Sequence, residues 1–142
     1  MEGIPEYQIA FVIRYLNIFF TRRPLAKGYL IIVFTKKHDL LTDLSSLECN
    51  SLLQALRLIN NNLADVYKFD GYNFFCNIGK SAGQNLPLIH FHFLTRYDKE
   101  KISPLKILNN HLKYKKLKVL SPEEITSEVR RLRKYFKKTI YL

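Results

Sequence analysis

His90 and His92 stand two residues apart inside an apolar run from Leu86 to Leu94. Imidazole is the side chain that changes charge nearest neutral pH, and it serves as base, nucleophile or metal ligand. In a strand alternate residues share a face, so the two rings point the same way, roughly 7 Å apart. Leu88 shares that face, while Ile89, Phe91 and Phe93 take the other. The apolar face must pack inward, which leaves the histidines toward a cleft or another subunit.

Three readings of the pair are open from spacing alone. The first is two coincidental surface histidines. The second is chelation, since His-x-His on a strand can hold zinc or iron. That needs a third ligand; His38 and His111 are distant in sequence, and no carboxylate follows at useful spacing. The third is nucleophilic catalysis. A neutral imidazole can attack phosphorus if its other nitrogen is held in the right tautomer, and a neighbouring histidine can donate to phosphate oxygens.

Upstream, Asn77-Ile78-Gly79-Lys80-Ser81-Ala82-Gly83-Gln84-Asn85 is a tight polar loop. Its glycines let backbone N–H groups approach an anion. At fixed distance from the histidine strand, it strengthens the phosphate reading.

The elements that must position these residues are legible. Ile9–Ile13 and Tyr15–Phe20 read as two strands turning near Arg14, broken after Arg22-Arg23 by Pro24. Tyr29–Phe34 is a continuous β-branched and aromatic run, read as a strand buried on both faces. Ser45 and Glu48 form a capping box, followed by an apolar helical stripe of Leu52, Leu56, Ile59, Leu63 and Val66. Asp70-Gly71 ends that helix. Tyr72–Asn77 reads as a strand, Gly79–Gly83 as a loop and Leu86–Leu94 as another strand. Ser121-Pro122-Glu123-Glu124 starts a last helix with stripe Ile125, Val129, Leu132 and Phe136. Its other face carries Arg130, Arg131, Arg133, Lys134, Lys137 and Lys138, read as solvated or, alternatively, as lengthening the reach for polyphosphate or RNA. The expected fold class is α+β: an antiparallel sheet of about five strands with one long helix and a C-terminal helix.

The 142 residues suit one domain, and 47% hydrophobic with 25% charged residues excludes a disordered chain. A net charge of +11 favours anionic partners, although a Lys-, Asn- and Ile-rich genome produces the same balance on solvated faces. Cys49 and Cys76 lie far apart with no Cys-x-x-Cys, which argues against a zinc motif or disulfide framework and for a reducing, cytoplasmic setting. Tyr7–Phe20 is too short to span a membrane and contains Arg14 and Asn17. No metal or cofactor is expected. A nucleic-acid partner is possible but less favoured, because no aromatic platform is interleaved on one strand face.

The residues quoted above resemble the histidine triad (HIT) family of nucleotide hydrolases and transferases. That family's pattern is roughly Asn-x-Gly, then Ala/Gly-Gly-Gln-x-Val-x-His-x-His-x-His. This chain reads Asn77-Ile78-Gly79, then Ala82-Gly83-Gln84-Asn85-Leu86-Pro87-Leu88-Ile89-His90-Phe91-His92, closing with Thr95-Arg96. Lys36-Lys37-His38 is similar to the family's basic pair and histidine. Phe19-x-Thr21-x-x-Pro24 is similar to its Phe-x-Asp-x-x-Pro. The resemblance covers about residues 9–97 of a single domain, 1–142, with a C-terminal extension bearing the basic helix at about 121–138. The first triad histidine is Leu88, the usual ribose-gripping acid is Thr21, and Tyr29 stands where Gly-His is usual.

The resemblance implies that His90 is the nucleophile at an α-phosphate, forming a covalent nucleotidyl-histidine that water cleaves. It implies His92 as donor to a non-bridging oxygen, Gln84 at the phosphate or leaving group, and Asn77, Gly83 and Asn85 around phosphate or ribose. Phe19 is implied at the base and Thr21 at the ribose; His38 is read as structural and Arg96 as either closing the site or capping the strand. If residue 88 supplies a main-chain carbonyl to the nucleophile, Leu serves as well as His, so activity is expected to be impaired or retuned rather than abolished. The implied substrate is a purine nucleotide or dinucleoside polyphosphate, and the implied assembly a homodimer. The alternative is a degenerate HIT domain that binds nucleotides or a protein partner without turnover.

Overall fold

The computed structural model describes residues 4–100, 103, 106 and 117–136. His111, Lys137 and Lys138 lie outside the described residues. Five strands, β1 (Ile9–Ile13), β2 (Leu16–Phe20), β3 (Leu30–Phe34), β4 (Gly71–Cys76) and β5 (His90–Arg96), form one antiparallel sheet in the order β1-β2-β3-β5-β4. Among the described residues two long helices, α1 (Ser46–Tyr67) and α2 (Pro122–Phe136), complete the expected α+β architecture. Among the described residues no helix is long and apolar enough to cross a membrane.

β3 is buried along its whole length, as its unbroken apolar composition requires of a central strand covered on both faces. On one face Leu30, Ile32 and Phe34 join Ile18, Phe20, Phe91 and Phe93 beneath Ala55, Ile59, Leu63 and Val66 of α1 and the Ile125–Phe136 stripe of α2. On the other, Tyr29, Ile31 and Val33 cluster with Phe19 and Leu94, and Phe75 packs against them. Each large side chain buried in this way contributes about 1.5–3 kcal/mol.

α1 begins as its capping box dictates. Ser45 Oγ accepts from the Glu48 N–H, and Glu48 Oε2 accepts from the Ser45 N–H at 2.9 Å. The helix ends earlier than Asp70-Gly71, at Lys68, whose left-handed backbone (φ 54°) lets its N–H donate to Ala64 O; Gly71 already opens β4. The buried line is Ser51, Ala55, Ile59, Leu63 and Val66, whereas Leu52 and Leu56 are only half-buried. Small side chains face the sheet in the first half of the helix, so the leucines beside them turn partly outward.

Two further expectations are corrected. β5 starts at His90 rather than Leu86, because Pro87 has no N–H for a ladder and the Gln84 amide takes the carbonyls of Leu86 and Leu88. The basic face of α2 is not simply solvated. Arg131 donates to Val66 O (2.9 Å) and lies over the Tyr67 ring, while Arg133 donates to Ala10 O and Ile9 O (3.0 and 2.8 Å). Those two guanidiniums fasten α2 to the end of α1 and to the open edge of β1.

Candidate functional site

The sheet register builds one row from four strands. Phe19 pairs with Ile31, Ile31 with His92, and His92 with Phe75. One step along, Val33 pairs with His90, so both histidines lie on the face opposite the helices. They are 1% and 2% exposed, held among the apolar side chains of this row rather than on an open surface. Phe75 stacks on His92 with ring centroids 4.5 Å apart, and the two imidazoles meet edge to face at 4.8 Å.

Residue 88 supplies its carbonyl to the nucleophile candidate. His90 Nδ1 lies 3.0 Å from Leu88 O, and a carbonyl only accepts, so Nδ1 carries the proton and Nε2 keeps its lone pair. The Leu88 side chain has no part in this bond. The loop holds that carbonyl in place through Gln84. Its Oε1 accepts from Gly79 N–H (2.8 Å), while its Nε2 donates to Leu86 O (2.8 Å) and Leu88 O (3.3 Å). Gly79 and Gly83 adopt φ of 88° and 86°, conformations that disfavour a side chain, and the Asn77 amide lies beside Gly83.

A cleft of about 220 Å³ opens over this row, lined by Phe19, Thr21, Arg23, Leu25, Tyr29, Ile31, Asn85, Leu86, His90 and His92. It brings together five of the residues named from the sequence: Phe19, Thr21, Asn85, His90 and His92. Asn77, Gly83 and Gln84 shape the adjoining loop instead. A larger depression of about 720 Å³ borders α2 and Tyr7 and contains none of the histidines. Among the described residues no three His, Cys, Asp or Glu side chains are grouped to hold a metal.

Two residues are placed elsewhere. His38 is buried and its Nε2 bonds Glu48 Oε1 at 2.7 Å, tying the segment after β3 to the first turn of α1. Hydrogen bonds from the Ser45 N–H and hydroxyl, then from His38, hold the Glu48 carboxyl down to about 2. Arg96, at the far end of β5, donates to Asn73 Oδ1 (2.9 Å) and Glu100 (2.7 Å) and so braces β4 against β5.

Sequence reasoning assigned no role to Tyr29 or Arg23. Alternation along β3 puts Tyr29 on the face of Ile31 and Val33, but its contact with His92 follows only from the register between β3 and β5. Tyr29 Oη lies 2.5 Å from His92 Nδ1.

The HIT domain family model matches residues 8–99, which includes the whole sheet and the loop. The chain belongs to the HIT domain family. Among curated proteins this HIT domain is 28% identical over 99 residues to a bis(5'-adenosyl)-triphosphatase of Saccharomyces cerevisiae, covering 69% of the chain and 48% of the relative. It thus spans about half the length of that relative. It is also 28% identical over 95 residues to an uncharacterized HIT-like protein of Methanocaldococcus jannaschii, covering 65% of the chain and 67% of the relative. Among solved structures, the Plasmodium falciparum diadenosine triphosphate hydrolase in complex with cyclomarin A superposes with a TM-score of 0.77. That match covers 96% of this chain and 80% of the other at 17% identity, a likeness of fold.

Proposed function

We propose that this HIT domain is a nucleotide phosphohydrolase or nucleotidylyl transferase acting at the α-phosphate of a purine nucleotide or dinucleoside polyphosphate. The observation that carries the reading is the bond from His90 Nδ1–H to Leu88 O, which leaves the Nε2 lone pair as nucleophile. The yeast relative's name, a dinucleoside triphosphatase, supports the same substrate class.

In the proposed reaction His90 Nε2 attacks the α-phosphorus as the bond to the leaving oxygen breaks. The leaving phosphate or nucleotide departs with that electron pair, and a nucleotidyl-histidine remains. Water then attacks phosphorus, the P–N bond returns its electrons to Nε2, and the water proton passes to solvent. His92 donates to a non-bridging oxygen, and charge developing there is the main target for stabilisation. Phe19 packs the base, Thr21 and Asn85 meet ribose or phosphate, and Gln84 holds the Leu88 carbonyl. Gly83 and Asn77 shape the loop that receives the phosphate. β4 supports the proposed homodimer: it is an edge strand whose Phe74 and Phe75 are only half-buried, and Leu47 and Leu53 of α1 are exposed.

A second reading, nucleotide binding without turnover, is favoured by Leu88, by Thr21 in place of a carboxylate, and by the near-complete burial of both histidines. Incubation with adenosine phosphoramidate, an AMP ester and a dinucleoside polyphosphate separates the two, with His90→Ala as control. AMP release by the wild type and none by His90→Ala is expected. AMP binding with no release from any substrate leaves the second reading, and no AMP binding removes both.

A further inference from the structure

The contact between Tyr29 and His92 carries an inference beyond the reaction outlined above. Tyr29 is 3% exposed, and its hydroxyl lies 2.5 Å from His92 Nδ1, a buried contact between residues 63 apart in sequence. The two rings lie nearly parallel, 18° apart in plane, while Phe75 packs against the imidazole. Burial pushes the phenol above its ordinary pKa, so the hydroxyl keeps its proton throughout the neutral range.

That proton decides the direction of the bond. Were Nδ1–H to donate to the phenol, the phenolic hydrogen would lie buried, and no second acceptor for it is found among the described residues. Leaving a buried donor unsatisfied costs about 1–3 kcal/mol. An O–H that donates to Nδ1 is satisfied, and it confines the imidazole proton to Nε2, itself buried, where a ligand oxygen in the cleft would accept it.

The position of Tyr29 is itself fixed from below. Thr95 Oγ1 and Tyr97 Oη both donate to Lys27 O, at 2.5 and 3.1 Å. Gly28 has φ 85°, and a Cβ there would come within 2.8 Å of the Tyr67 ring. The chain thus enters β3 by one route, against α1, with the phenol aimed at His92.

We propose that Tyr29 is a positioning residue that holds His92 as an Nε2–H donor, so that the two neighbouring imidazoles are locked in complementary roles. Leu88 O gives His90 a free Nε2 lone pair, and Tyr29 gives His92 an Nε2 proton. The catalytic consequence rests on the nucleotidyl-transfer reading above; the tautomer rests on the local geometry alone. The pair requires no carboxylate, and the cleft lining contains none.

The test is long-range 1H–15N correlation of histidine side chains at neutral pH in wild type and Tyr29→Phe, with kcat and KM for AMP release measured beside it. In the wild type, His92 is expected to show an unprotonated Nδ1 and a protonated Nε2. Tyr29→Phe, with circular dichroism unchanged, is expected to mix the two tautomers. It should lower kcat at little change in KM, short of the roughly 100- to 1,000-fold loss that removing an aimed donor outright causes. A wild-type His92 protonated on Nδ1, or a tautomer unchanged in Tyr29→Phe, overturns the proposal. Absence of AMP release from the wild type overturns the hydrolase reading instead, and the tautomer measurement still decides the role of Tyr29.

Discussion

At position 88 the atom that serves the proposed reaction is a main-chain oxygen, which every residue type carries. Leu88 presents it 3.0 Å from His90 Nδ1, and the Gln84 amide reaches the same oxygen. Two substitutions therefore separate. Leu88→Ala keeps the carbonyl and trims a half-buried side chain that packs against the cluster of Tyr29, Ile31 and Val33, so AMP release is expected within about threefold of wild type. Gln84→Ala removes the bonds to Gly79, Leu86 and Leu88 and frees the loop. Release is expected to fall at least about fivefold, the equivalent of one net hydrogen bond near 1 kcal/mol. Single-turnover rates check both; a larger loss in Leu88→Ala would move the contribution to the side chain. The histidine spacing and the glycine loop were legible because both are local. The carbonyl's job was legible only as a condition, since it depends on where the chain bends at Pro87.

Among the elements, the start of α1 links capping to pH. Glu48 is held to about 2 by Ser45 and His38, against an ordinary value of 4.5. A depressed carboxyl contributes stability that is fully present above its unfolded value and is lost as pH falls through its folded one. The wild type is therefore expected to lose stability between about pH 4.5 and pH 2 at this site. Glu48→Gln does not titrate there. It is expected to be about 1–2 kcal/mol less stable than wild type at pH 7, with the gap closing toward pH 2. Urea unfolding at several pH values measures this; a gap constant with pH would place the effect in packing. The capping boxes at Ser45 and Ser121 could be read directly, since a cap involves residues three apart. The stripe of α1 was only partly legible: hydrophobicity marks Leu52 and Leu56, but the approach of the helix to the sheet selects Ser51 and Ala55.

For the whole molecule, the two sheet edges differ. α2 covers β1, where Arg133 takes the carbonyls of Ile9 and Ala10, whereas among the described residues β4 is the strand at the other edge, paired on one side only. Light scattering at micromolar concentration is expected to give twice the mass of the chain, and a clean monomer would remove the homodimer from the proposal. By itself the sequence determined that there are five strands here, though not where β5 starts, and with them both helix starts, the glycines of the loop before β5 and the α+β class. Each of these is set by residues within a turn or two of one another, through alternation, capping and backbone freedom. Tertiary structure alone decided that the histidines are buried, that Arg131 and Arg133 are fasteners, and that Tyr29 meets His92. Those facts depend on register between strands far apart in sequence, and a register becomes fixed only when both faces of the sheet are packed at once.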